Sequence, residues 1–241
     1  MIGCECAVCQ STDPRDQRFR TSIVVESARG TVLLVDTTPD LRMQALRQRM
    51  RRLDAVLFTH AHADHIAGLD DVRRFNAVMQ RAMPVYGDAS TLAEIRQRFS
   101  YIFDPETPRG GGLPEIRLWT LSGGPFCIDD LEVVPVPLRH GSRQVFGFRL
   151  GSFAYLTDCN AIPDASLARL TGLQVLVLDA LRTKPHPTHF SLPEAVEMAR
   201  RIGAPQVYFT HMTHDLGHAA TCAALPAGMA LAHDGLSIDI K

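Results

Sequence analysis

Apolar and polar positions follow two different periods along this chain. Thr21-Ser22-Ile23-Val24-Val25 and Thr31-Val32-Leu33-Leu34-Val35 are short apolar runs on either side of Ala28-Arg29-Gly30, which predicts a hairpin whose second strand ends at Asp36. Leu41, Ala45, Leu46, Met50 and Leu53 then recur at helical spacing among arginines, which predicts a helix from Pro39 to Leu53. A strand-type run, Leu53 to Phe58, is followed by Ile66 to Val72, where a helical pattern begins. Further helices are predicted over Asp70 to Gln80 and Ser90 to Tyr101, with Pro84-Val85-Tyr86 as a strand between them. Asp104 to Pro114 reads as loop, from its prolines and Gly110-Gly111-Gly112.

In the second half, strands are predicted at Ile116 to Leu121 and Leu131 to Leu138, then a hairpin of Val145 to Leu150 with Ser152 to Thr157. Leu173 to Leu178 is a buried strand closed by Asp179. Ser191 and Glu194 form a capping box for a helix from Leu192 to Ile202. The strand Gln206 to Phe209, a helix from Asp215 to Leu225 and a hairpin through Asp234-Gly235 complete the pattern.

Composition narrows the function classes. At 241 residues the chain suffices for one large core, so a single domain over 1–241 is expected. With 25 basic and 26 acidic residues there is no global positive field to draw it to nucleic acid or an anionic membrane. No stretch approaches the ~20 apolar residues of a spanning helix, and Met1-Ile2-Gly3-Cys4 has no signal-peptide pattern, so a cytoplasmic protein without a membrane partner is expected. The 17 glycines and 15 prolines are scattered, with no linker or repeat.

The chemistry concentrates in Thr59-His60-Ala61-His62-Ala63-Asp64-His65, on a strand-to-helix turn. Imidazole and carboxylate are ligands for borderline and hard divalent metals, and side chains two residues apart can converge on one ion while their neighbours reach a second. Another apolar strand delivers His140 into the turn Arg139-His140-Gly141, and Asp158 stands at the end of the strand Ser152 to Thr157. Cys4, Cys6 and Cys9 are too close for ordinary pairing, and three thiolates fit three corners of a tetrahedral structural zinc that needs a fourth ligand from elsewhere. Cys159 reads as a buried small residue, with redox sensitivity left open. For Arg182 and His186, phosphate contact and solvent exposure both stay open.

The pattern H-x-H-x-D-H after an apolar strand resembles the signature of the metallo-β-lactamase fold hydrolases. The C-x-C-x-x-C trio ahead of it resembles the branch containing the phosphoribosyl 1,2-cyclic phosphate phosphodiesterase. The resemblance implies an α/β (α+β) chain folded as a four-layer αββα sandwich. It implies two divalent ions, zinc or manganese: His60, His62, His140 and Asp158 on one, and Asp64, His65, Asp158 and His211 on the other. Asp158 would be the bridge, since two carboxylate oxygens can hold two metals ~3.5 to 4 Å apart. It also implies Asp64 and His189 as catalytic residues, His189 near the metals as a general acid or phosphoryl stabiliser, and His214 as fourth ligand of the structural zinc.

Family members carry a strand and a glycine-rich turn ahead of the cysteines, so the resemblance further implies a domain whose first strand is absent here. The implied function is a phosphodiesterase acting on a small (cyclic) phosphodiester through a two-metal-activated hydroxide, with that small-molecule substrate as a partner and a homodimer left open. The alternatives are a non-hydrolytic accessory protein of pyrroloquinoline quinone biosynthesis and a transfer-RNA 3′-processing endonuclease. The latter grips its substrate with a basic arm, for which neither net charge nor an inserted segment here provides.

Overall fold

The computed structural model describes residues 1–108, 110 and 112–240. Chain packing divides it into two compact units, Arg20–Leu131 and Met1–Phe19 with Glu132–Lys241. Each contains a sheet with helices packed on it, the mixed α/β class expected from the sequence.

In the unit Arg20–Leu131 the strands are β1 (Ile23–Glu26), β2 (Val32–Val35), β3 (Ala55–Leu57), β4 (Met83–Gly87) and β5 (Ile116–Thr120), in that spatial order. A further short strand, β6 (Phe126–Ile128), follows. β1 and β2 are the predicted antiparallel hairpin, and β2 to β5 run parallel. The intervening helices are α1 (Leu41–Arg47), α2 (Ala63–Ile66), α3 (Arg73–Met79), α4 (Ala89–Arg98) and α5 (Ser100–Phe103). Their apolar faces, with Leu41, Ile66, Phe75, Leu92 and Ile95, pack on Val32, Leu34, Val56 and Val85 as one core. Every residue of β2 is buried, so this strand is apolar on both faces and shows no alternation.

The unit of the two terminal segments holds β7 (Leu131–His140), β8 (Arg143–Leu150), β9 (Phe153–Leu156), β10 (Val175–Asp179), β11 (Gln206–Thr210) and β12 (Met229–Leu231). Its ladder runs β12-β11-β10-β9-β8-β7. β7, β8 and β9 are antiparallel neighbours, and β9 to β12 are parallel. β7 and β9 therefore point the same way, and their carboxyl ends lie on the same sheet edge as those of β10 and β11. The helices are α6 (Asp164–Leu167), α7 (Leu192–Ile202) and α8 (His218–Ala224). The predicted capping box is present, with Ser191 N–H donating to Glu194 Oε2 at 2.8 Å, and α7 buries Ala195 and Ala199.

The structure departs from the sequence pattern at several element ends and breaks. The stretch predicted as a helix over Ser90 to Tyr101 is two helices, α4 and α5, separated at Phe99, where ψ is 39°. The helix predicted to reach Leu53 ends at Arg47, because the chain reverses through Arg49 at φ 53° so that Leu53 can be buried ahead of β3. The stretch Asp70 to Gln80 divides into a 3-10 turn, Leu69–Val72, and α3, which stops where Gln80 enters the left-handed region at φ 53°. The helix predicted from Asp215 starts at His218, behind Gly217. Among the described residues no strand follows β12, so the hairpin predicted through Asp234-Gly235 is not seen there. Of the loop Asp104 to Pro114, Arg109 and Gly111 lie outside the described residues, and no described residue in it belongs to a helix or strand. No helix among the described residues is long and apolar enough to cross a membrane.

Gly68 is where α2 meets the turn after β2. Its N–H donates to Thr37 O at 2.9 Å, and a Cβ there would stand 2.0 Å from Thr38 O. Backbone cannot yield as a side chain can, so Gly68→Ala is expected to destabilise the protein by at least ~1–3 kcal/mol, read as a lowered melting temperature. Wild-type melting would contradict this packing.

Candidate metal centre

In the unit Arg20–Leu131 the ligand candidates follow β3. Phe58 and Thr59 continue the strand direction, His60 is buried, His62 is the N-cap residue of α2, and Asp64 and His65 lie in its single turn. The His60 ring centroid is 4.4 Å from that of His62 and 4.3 Å from that of His65. Behind them stands Asp36, fully buried at the end of β2. It accepts from Thr59 N–H at 2.9 Å and from the Thr59 hydroxyl at 2.8 Å. Its Oδ2 also lies 2.8 Å from His65 Nδ1. A carboxylate only accepts, so His65 Nδ1 carries the hydrogen and Nε2 the lone pair. The Thr59 hydroxyl spends its hydrogen on Asp36, so its oxygen accepts from His60 Nδ1 at 3.0 Å, which fixes His60 in the same tautomer. Burial pushes the Asp36 carboxyl up, and His65 and Thr59 oppose that shift.

In the other unit the candidates stand at one sheet edge. His140 ends β7, Asp158 follows β9 by two residues, Asp179 ends β10 and His211 follows β11. The register pairs Leu178 with Leu156 and Asp179 with Thr210, so the positions after these strands are neighbours. Asp158 and His211 turn away through the left-handed region, at φ 54° and 60°. Donor atoms of Asp158, His189 and His211 lie within 4.8 Å of one another, and His211 Nε2 is 3.3 Å from Asp158 Oδ1. The rings of His189 and His211 stack at 4.8 Å, and those of His140 and His189 meet edge-on at 4.6 Å.

His140 Nδ1 lies 2.8 Å from the carbonyl oxygen of Thr188, so Nδ1 donates and Nε2 holds the lone pair. His189 Nδ1 lies 3.1 Å from Asp179 Oδ2, which also accepts from Phe190 N–H at 3.1 Å. Burial raises the Asp179 pKa, against the pull of His189 and His211. Three ligand candidates, His60, His65 and His140, thus have Nδ1 committed to an oxygen inside the protein and Nε2 set to accept a cation. This is how metal-binding histidines are oriented, so the donors present fit divalent metals.

Cys4, Cys6, Cys9 and His214 form a second donor group, all within 4.8 Å of one another. His214 Nδ1 is 3.2 Å from Cys4 Sγ and 3.3 Å from Cys6 Sγ, close to the ~3.5 Å edge implied by zinc bonds of ~2.3 Å to sulfur and ~2.0 Å to nitrogen. The Cys9 N–H, and then His214, bring the Cys6 thiol down to about 6, which favours the thiolate a metal needs. Arg18 braces the same turn, donating to Thr213 O at 3.0 Å and Leu216 O at 2.5 Å.

Arg182 is turned onto its own loop, donating to Lys184 O at 3.2 Å and Pro185 O at 2.8 Å. His186 is partly buried with its ring 5.2 Å from that of His189, and burial, then the neighbouring His189 and Arg182, lower its pKa. Cys159 is fully buried and its pKa lies well above the ordinary thiol value through desolvation, which keeps it a protonated, unreactive thiol. The sequence pattern missed Asp36 and Asp179 as site residues. The signal was there: each directly ends an unbroken apolar run, Val32-Leu33-Leu34-Val35 or Val175-Leu176-Val177-Leu178, where a buried acid needs a partner.

Comparison with known proteins agrees with this geometry. A model of the beta-lactamase superfamily domain matches residues 31–212. The chain is 45% identical to the crystal structure of a new diphosphatase from the PhnP family, covering 98% of this chain and 89% of that one, with a TM-score of 0.91. An octanoyltransferase of Porphyromonas gingivalis is 35% identical over 98% of this chain, but the chain spans only 48% of that protein. Zn(2+)-bound PqqB from Methylobacterium extorquens shares the fold, with a TM-score of 0.75 at 20% identity over 99% of this chain and 95% of that one.

Two outcomes are expected. Asp36→Asn keeps the shape and tolerates φ 65°, but removes the carboxylate behind His65 and Thr59, so active-site metal affinity should fall ~10–100-fold in a chelator competition. Unchanged affinity would deny Asp36 its orienting role. Cys6→Ser should lower the melting temperature and remove one tightly held zinc per chain in native mass spectrometry, since the binding energy of a structural zinc is partly folding energy. A variant that keeps that zinc and melts like wild type would exclude the cysteine site.

Proposed function

Since the chain belongs to the beta-lactamase superfamily and has its metal-dependent hydrolase fold, we propose that it is a phosphodiesterase acting on a small, cyclic or linear phosphodiester. One observation carries the choice of phosphorus chemistry: the 45% identity, over 98% of the chain, to a diphosphatase. PqqB at 20% identity supports the fold and no activity. The name octanoyltransferase belongs to a protein about twice as long, and acyl transfer is not part of the proposal.

In this reading His60, His62, His140 and Asp158 hold one divalent cation and Asp64, His65, Asp158 and His211 a second. If bound there, such ions, zinc or manganese, would supply an ionised water near neutral pH and offset negative charge on a phosphodiester. The chain's own residues do the rest. Asp36, Thr59 and the Thr188 carbonyl hold three imidazoles in the ligating tautomer, so no reorientation is needed when the centre fills. His189, anchored at Nδ1 by Asp179, presents Nε2 to the leaving oxygen as a proton donor when doubly protonated. Asp64, less buried than His65 beside it, serves as a ligand and as an acceptor that orients the attacking water. Cys4, Cys6, Cys9 and His214 hold a structural zinc.

The test is metal analysis of the purified protein followed by turnover of bis(p-nitrophenyl) phosphate and of cyclic phosphodiesters. Wild type should hydrolyse at least one, and Asp158→Ala should lose that activity together with active-site metal. Near-normal turnover by Asp158→Ala would reject the assignment.

A further inference from the structure

We infer that His186 is a substrate-binding residue, its Nε2–H acting as a neutral donor to a non-bridging oxygen of the phosphoryl group. This deepens the phosphodiesterase reading and rests on it. The observation behind it is the backbone of Thr188, whose carbonyl and N–H serve two imidazoles in opposite senses. Its carbonyl accepts from His140 Nδ1 at 2.8 Å, and its N–H donates to His186 Nδ1 at 3.3 Å. The Thr188 hydroxyl stands 3.2 Å from the same His186 nitrogen.

A nitrogen that accepts an N–H holds a lone pair, so in neutral His186 the hydrogen sits on Nε2. His140 thereby becomes a ring with its lone pair at Nε2, suited to a cation. His186 becomes a ring with a hydrogen at Nε2, unsuited to a cation and suited to an anionic oxygen. One residue thus sorts two nearby histidines into different chemistry.

Placement and rigidity point the same way. The rings of His211, His189 and His186 succeed one another at 4.8 and 5.2 Å, so His186 is the next group out from the cluster of Asp158, His189 and His211. It is partly exposed where His189 is buried, as a residue at the mouth of a site has to be. Pro185 and Pro187 flank it and restrict both its neighbours and its own backbone. Arg182 ties the loop from within through the Lys184 and Pro185 carbonyls. A donor held this way loses little freedom when it binds, and two donors of the neighbouring Arg182 guanidinium go to the loop itself.

The test compares His186→Ala and His186→Gln with wild type on bis(p-nitrophenyl) phosphate, with metal content measured in parallel. Losing one hydrogen bond to the substrate should raise KM about tenfold in His186→Ala, with kcat close to wild type and metals at wild-type stoichiometry. Glutamine carries an N–H near the position of Nε2 and should recover most of the KM. An unchanged KM in His186→Ala, loss of a metal equivalent, or glutamine behaving as alanine would each overturn the inference. If His186→Ala does not fold, nitrogen-15 spectra of the wild-type histidines decide: an Nε2–H tautomer for His186 is required, and an Nδ1–H tautomer refutes it. A wild type that is inactive on every phosphodiester sinks the functional reading and this inference together, whereas an active wild type matched by His186→Ala sinks this inference alone.

Discussion

A neutral imidazole can bind a cation only through the nitrogen that lacks a hydrogen, so a candidate histidine ligand is held in the binding tautomer when its other nitrogen donates to an acceptor inside the protein. Much of this structure follows from meeting that condition. In one unit the acceptor is Asp36, reached directly by His65 and through the Thr59 hydroxyl by His60. In the other it is the Thr188 carbonyl for His140, while Asp179 anchors His189. Both aspartates are fully buried, and desolvation raises their pKa values. Holding a carboxylate there costs several kcal/mol unless hydrogen bonds offset it, and the imidazoles and backbone N–H groups supply those bonds.

The backbone pays a second cost at the same places. Asp36, Asp158 and His211 all leave their strands through the left-handed region, at φ 65°, 54° and 60°. Such residues are uncommon outside glycine, although aspartate and histidine tolerate that region better than most. The residue types required for ligation and for orienting ligands are thus also among those that can make the turn. The strands behind Asp36 and Asp158, β2 and β9, are buried along their whole length.

In the unit of the terminal segments, one short turn serves two donor groups. His211 belongs with Asp158 and His189, and His214, three residues on, belongs with Cys4, Cys6 and Cys9. The turn is held on one side by Arg18, donating to Thr213 O and Leu216 O, and on another by Thr213 N–H donating to Leu181 O, just past β10, at 2.7 Å. The backbone that presents His211 is therefore the same four-residue turn that presents His214 to the cysteines.

The sequence by itself determined which residues are candidate ligands and most of the elements that carry them. Donor density in His60 to His65 and the cysteine spacing are local chemistry, and apolar runs and the Ser191–Glu194 cap are local periodicity, so both survive folding unchanged. Tertiary structure decided the tautomers and therefore the roles. Nothing in Pro-His-Pro-Thr-His says that Thr188 will present its carbonyl to His140, 48 positions away, and its N–H to His186. Asp36 lies 29 positions from His65, and the apolar run before it reveals a strand end without revealing which imidazole it will meet. The helix predicted to reach Leu53 ends at Arg47 for a related reason: Arg49 leaves helical geometry so that Leu53 beyond it is buried ahead of β3. Sequence spacing records which groups are available, whereas hydrogen-bond direction depends on where distant backbone comes to rest.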